Sequence, residues 1–153
     1  MIGSDVELLR RIGQTEQRVE QAYLQSYCTY IPLTTALSEA GGALNGAALN
    51  VGTYTIGPLG SGADYTFDYL TTAKVVKMSI NAAWAAASDN SYAYAIPNGG
   101  ALAVTPVLCK ALVANIADRK SGDVALDGSG LAQLIVAGAN TTVCAVKILG
   151  YFV

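Results

Sequence analysis

The run Thr141-Thr142-Val143-Cys144-Ala145-Val146-Lys147-Ile148-Leu149-Gly150-Tyr151-Phe152-Val153 is rich in β-branched and aromatic residues and holds a single charge, Lys147. It reaches the last residue of the sequence. An apolar end of this kind is expected to pack into a sheet or against a neighbouring subunit, because termini that are not tied down fray. Its two alternating sets are Val143, Ala145, Lys147 and Leu149 against Thr142, Cys144, Val146 and Ile148. Both are apolar apart from Lys147 and the threonines. A strand of that kind needs cover on both faces, so it predicts an inner strand of a layered sheet, or one covered by a neighbour.

The chain upstream supplies partners for such a strand. From residue 51 onward, short β-rich runs alternate with Gly, Asn, Asp, Ser and Pro, the pattern of an all-β sandwich or barrel. Candidate strands are 51–56, 65–70, 74–84, 91–96, 101–105, 110–116, 122–126 with 131–136, and 142–151. The expected fold is mainly β, an antiparallel β-sandwich or jelly roll of about eight strands preceded by an N-terminal α-helix. Tyr65, Phe67 and Tyr69 alternate with Thr66 and Asp68, and Val76, Met78, Ile80 and Ala82 with Lys77, Ser79 and Asn81, giving each sheet a dry and a wetter face. Asp89-Asn90, Pro97-Asn98-Gly99-Gly100 and Asp127-Gly128-Ser129-Gly130 carry turn chemistry, the last predicting a hairpin.

The first 32 residues follow a different period. Ser4 and Glu7 have capping-box spacing and open a helix predicted to run to about Tyr27. Leu8, Ile12, Thr15, Val19, Ala22 and Ser26 recur at spacings of four and three, a thin heptad-like seam flanked by Arg10, Arg11, Glu16, Gln17, Arg18 and Glu20. A lone helix of this length is marginal in water and needs a partner. That partner is either its own β-domain or copies of itself. Self-association is the preferred reading, because seven of the twenty charged residues fall within residues 5–20 and leave most sides of the helix solvated. Tyr23, Tyr27 and Tyr30 extend the pattern as a possible aromatic collar, and Pro32 helps close the segment. The chain thus divides into an anchoring or oligomerising helix (1–32), a Gly/Ala-rich connector lying along the body or between subunits (33–50) and a β-sandwich domain (51–153).

Composition narrows the function classes. Of 153 residues only 13% are charged, and the apolar stretches near 82–87 and 131–139 fall well short of the roughly 20 residues a bilayer span needs. No membrane partner is expected. The acidic start lacks the basic and apolar regions of a signal peptide, which predicts synthesis in the cytosol. A net charge of −2 without a Lys/Arg cluster argues against nucleic acid. Cys28, Cys109 and Cys144 show no metal-ligand spacing and read as free thiols, with a bridge between Cys109 and Cys144 left open.

Catalytic constellations are sparse. The absence of histidine removes Ser-His and Cys-His nucleophile pairs. Gly57-Pro58-Leu59-Gly60-Ser61-Gly62 lacks the Gly-Lys-Ser/Thr ending of a phosphate loop and reads as a tight turn. Asp64 and Asp68, four apart, have the chemistry for glycoside hydrolysis but also suit the wet face of a strand. Asp118, Asp123, Asp127 and Ser129 carry calcium-type oxygens without EF-hand spacing. No catalytic residue, cofactor or metal is assigned. Trp84, Tyr92 and Tyr94 are the candidates for stacking on a sugar ring, as in a carbohydrate-binding or adhesive cell-surface module, which is the alternative function.

From Lys74 onward the sequence resembles β-sandwich modules of bacterial surface and phage virion proteins that close on a Val-x-Val-x-Gly-Tyr-Phe strand. The residues that carry the resemblance are Val146, Gly150, Tyr151 and Phe152, with Val75, Ile80-Asn81-Ala82, Tyr94, Pro97 and Gly99 before them. Ile148-Leu149 before the glycine departs from the surface-protein version, as does the lack of a secretion signal and of tandem copies. The resemblance implies a small bacteriophage virion component: a head-decoration (capsid decoration) protein, head fibre or short tail fibre. It further implies synthesis in the host cytoplasm, assembly as a homotrimer, and contact with other virion proteins such as capsid or tail. The expected oligomerisation residues are Leu8, Ile12, Thr15, Val19, Ala22, Tyr23 and Tyr27.

Overall fold

The structure, a computed structural model, describes residues 2–27, 29–42, 44–100, 107–138 and 141–153, with side chains in the helix described for residues 6–18. The apolar run at the end of the sequence forms the long strand β9 (Thr141–Phe152), and both its flanks are hydrogen-bonded. On one side lies β4 (Val75–Trp84), antiparallel from Val75↔Phe152 to Trp84↔Thr141. On the other, β1 (Tyr30–Ser38) covers residues 147–152. The rest of that flank is taken by residues 44–50: Gly46 N–H donates to Cys144 O (3.0 Å), Cys144 N–H to Ala47 O (3.0 Å) and Val146 N–H to Leu44 O (2.9 Å). The expected inner strand is therefore an inner strand, and Cys144, Val146 and Ile148 are fully buried.

With β7 (Asp118–Ala125) on the far side of β4, this sheet has the order β1-β9-β4-β7. The second sheet, in the order β3-β2-β8-β5-β6, contains β2 (Gly52–Pro58), β3 (Tyr65–Phe67), β5 (Ser88–Pro97), β6 (Val107–Ala111) and β8 (Ala132–Ala137). The period-2 alternation aims Val76, Met78 and Ile80 at Ile56, Ala95, Val107 and Leu134, all fully buried between the sheets. Among the described residues, nine strands in two sheets preceded by the helix α1 (Ile2–Tyr27) make the β-sandwich expected from the sequence.

One pair departs from the antiparallel pattern. β2 and β3 run parallel, Ile56 opposite Tyr65 and Pro58 opposite Phe67, although parallel neighbours normally need a longer crossover. The glycine-rich loop makes the short return possible. Gly60 and Gly62 take positive φ (78° and 77°), and a Cβ on Gly57 would lie 2.5 Å from Leu131 Cδ2. Asp64 fastens the return, its Oδ2 accepting from Thr55 N–H (2.7 Å) and Thr55 Oγ1 (2.8 Å).

Several expectations require correction. The helix starts at Ile2, so Ser4 lies inside it and not at its cap. Residues 30–38 form an edge strand of the sandwich, and Pro32 is tolerated there because an edge strand leaves one flank without partners. The stretch read as a connector along the body or between subunits has Leu44 and Leu49 buried in the sandwich core, in keeping with the first of these. The turn at residues 127–130 joins β7 to β8, which belong to different sheets, so it is a crossover and not a hairpin. β6 stops at Ala111, and residues 112–116 form a turn. The candidate strand 101–105 lies outside the described residues.

Candidate functional site

α1 and the sandwich meet beside the last residues of β9, where Val153 N–H donates to Thr29 O (3.0 Å). Along the described part of the helix the apolar side chains face water. Leu8 is 59% exposed, Leu9 68%, Ile12 47% and Val6 60%. These values exclude the alternative in which Leu8 and Ile12 lie packed on the chain's own β-domain. Thr15 is exposed as well, and its Oγ1 donates back to Arg11 O (3.0 Å). Val19, Ala22, Tyr23 and Tyr27 have side chains outside the described residues. Leu9 widens the predicted seam at its N-terminal half; at about 100° per residue it lies about 60° from Ile12 and about 60° from Val6, which itself falls nearly opposite Leu8.

Glu7 receives Arg10 (2.6 Å) and Arg11 (3.1 Å), and these two guanidinium groups hold its carboxyl below the usual range. A Glu placed one turn before Arg is the favourable orientation, yet at this exposure such pairs add little stability.

The proposed glycan contacts fare differently. Trp84 is fully buried in the core and offers no stacking face, which removes it from that role. Tyr94 is 6% exposed. Tyr92 is half-buried, its ring 5.6 Å from that of Tyr94, both on the outer face of the five-stranded sheet. The sequence presented the three aromatics as one group, but Trp84 on β4 belongs to the other sheet and faces inward.

The carboxylates do not converge. Asp64 is occupied by Thr55, whose backbone and hydroxyl donors lower its pKa, while Asp68 is exposed. Asp127 accepts from Asn98 Nδ2 (2.7 Å), Leu131 N–H (2.9 Å) and Ser129 N–H (2.8 Å), and these donors lower its pKa, that of Asn98 most. It closes its own turn. Asp118 accepts from Lys110 N–H (3.0 Å) and ties β7 to β6. Asp118 and Asp127 lie nine positions apart along an extended chain, about 30 Å, and no group of three metal-type side chains gathers among the described residues.

Cys109 and Cys144 are free and buried, whereas Cys28 lies outside the described residues. Burial, with Asp118 nearby, pushes the Cys109 thiol up to about 12, and burial pushes Cys144 up to about 11. In the unfolded chain a thiol ionises near about 8.5. Folding therefore holds protons that the unfolded chain releases; this stability is complete below about pH 8.5 and is lost as pH rises toward 11 and 12. Buried Tyr69 is raised in the same sense. The free energy of unfolding from urea titration is expected to hold from pH 7 to 8 and then fall by about 1.4 kcal/mol per pH unit for each group ionising, moving the midpoint down with it. An unchanged midpoint at pH 10 would contradict this coupling.

Two exposed features were missed by the sequence reading. One is the breadth of the helix face at Leu9; the other is the turn after β6, where Leu112, Val113 and Ile116 are 65%, 52% and 62% exposed. The second was mistaken for strand because its residues are β-formers. The signal that could have found it is the turn residue Asn115, which adopts positive φ (59°). Comparison with protein-family models, with curated proteins and with solved structures finds no match.

Proposed function

We propose that this chain is a non-enzymatic structural component of a bacteriophage particle, a capsid-decoration or fibre protein made in the host cytoplasm. In this reading copies join through α1 into a homo-oligomer, a trimer by the resemblance of its β-domain, and the sandwich is carried as the displayed body. The observation that supports the reading is the solvent-facing Leu8, Leu9 and Ile12 on a 26-residue helix. An unshared helix with that face is marginal in water, and a bundle of copies buries it. Capsid or tail proteins would be its other partners. Asp64, Asp118 and Asp127 are used in holding strands and turns together.

Sedimentation velocity on the full chain tests the reading. The expected species has the mass of three 15.8 kDa chains. Leu8→Asp combined with Ile12→Asp is expected to reduce it to one, with loss of helical circular dichroism and retention of the β signal. A monomer at high concentration in the unmodified chain would refute the helix as an assembly element.

A further inference from the structure

The turn between β6 and β7 lies at the end of the sandwich opposite the helix. β4 measures the separation. It begins at Val75, opposite Phe152 and hence beside the helix junction, and ends at Trp84, whose carbonyl accepts from Asn115 N–H (2.7 Å) in the turn. Ten strand residues span about 30 Å.

The turn itself is held firmly. Leu112 N–H donates to Lys110 O (3.0 Å), Ile116 N–H to Val113 O (3.4 Å), and Asn115 takes the left-handed conformation. Leu112, Val113 and Ile116 are presented to water by this hydrogen-bonded turn. From Ala111 to Ala117 there is no charge, and the adjoining Ala85, Ala86 and Ala87 are also exposed and uncharged. Both stems then turn basic. Lys110 precedes the turn, and Arg119 and Lys120 follow it, three of the nine basic residues of the chain. All three are exposed. The acids at this end are Asp118, already engaged by Lys120 (3.3 Å) and by Lys110 N–H, and Asp89 on β5.

We infer that this turn is a peripheral membrane-contact site: Leu112, Val113 and Ile116 enter the interface of an anionic lipid bilayer while Lys110 and Arg119, which carry no ion pair to Asp118, meet its phosphate headgroups. The charge pattern selects this occupant. A convex apolar tip with cations set behind it matches a surface that is negative at the headgroups and apolar beneath them. No helix among the described residues is long and apolar enough to cross a membrane, and the three apolar side chains of the turn are the part proposed to enter the bilayer. The site is independent of the particle reading and lies far from the helix seam.

Co-sedimentation of the full chain with vesicles tests it. Binding is expected to vesicles of equal parts phosphatidylcholine and phosphatidylglycerol, and to weaken in high salt. Leu112→Asn with Ile116→Asn is expected to lower it by about tenfold. Lys110→Gln and Arg119→Gln are each expected to lower it by about fivefold. Leu70→Asn, an exposed apolar residue outside both the turn and the helix seam, serves as the contrast and is expected to leave binding unchanged. No binding to either vesicle type would overturn the inference. So would loss of binding with Leu70→Asn and not with the turn variants, which would place the contact elsewhere on the sandwich. A change in sedimenting mass of the turn variants without lipid would make the turn a protein interface and overturn it too.

Discussion

Removing Tyr151, Phe152 and Val153 is expected to lower the free energy of unfolding by about 3–5 kcal/mol. Three losses combine. The hydrogen bonds from Lys74 N–H to Phe152 O (2.8 Å) and from Val153 N–H to Thr29 O (3.0 Å) disappear, each with a net value of about 1 kcal/mol. Tyr151, half-buried against the core, takes with it about 1–2 kcal/mol of apolar contact. β1 loses its first two partners, Tyr30↔Phe152 and Ile31↔Tyr151, and the Tyr30 ring loses the Phe152 ring 4.9 Å away. Phe152→Ala, which keeps the backbone ladder, is expected to cost only about 1 kcal/mol. Urea denaturation of the two variants beside the full chain distinguishes ladder from side chain. A truncated protein with an unaltered midpoint would show that β9 closes the sheet without its last residues.

Trp84→Ala is expected to cost about 3–5 kcal/mol, the range for emptying a large buried site. Trp84 is the largest fully buried side chain, seated where β4 ends. Its Nε1 is buried with no hydrogen-bond partner among the described residues. An orphaned donor costs about 1–3 kcal/mol. Trp84→Phe therefore removes that penalty along with part of the packing, and the two effects nearly offset. The expected result is a Phe variant within about 1 kcal/mol of the parent and an Ala variant far below it. Equal losses for both would mean that Nε1 is satisfied. As the single tryptophan, Trp84 also reports its own burial through blue-shifted fluorescence that collapses at the unfolding midpoint.

The Gly-Tyr-Phe ending shows where a period-2 reading of the strands stops. Lys77 pairs with Gly150 and the next residue, Met78, with Ile148, which leaves Leu149 as an extra residue in β9. A bulge reverses the inward and outward order beyond it. Cys144, Val146 and Ile148 face the core before it; afterwards Tyr151 turns inward while Gly150 and Phe152 turn outward. The Ile148-Leu149 departure from the resembled motif is this bulge. The glycine then has a physical reason, since a Cβ at position 150 would lie 2.6 Å from Tyr30 Cζ. Lys77 Nζ stands 5.6 Å over the same ring.

The sequence by itself determined what local chemistry can determine: a helix that ends by Tyr27, the inward set Val76, Met78, Ile80 and Ala82, a tight glycine loop at residues 57–62, and an inner strand over the last residues. Those features follow from periodicity, φ requirements and the need to bury both faces of one strand, all encoded within a few residues. Only the tertiary structure decided that residues 30–38 belong to the sheet, that β2 and β3 run parallel, that the turn at 127–130 changes sheets, that Trp84 is buried, and that Leu112, Val113 and Ile116 are not. Each of these depends on which distant strand lies alongside. A β-former looks the same in sequence whether a neighbour covers it or water does; the difference is made by contacts dozens of residues away.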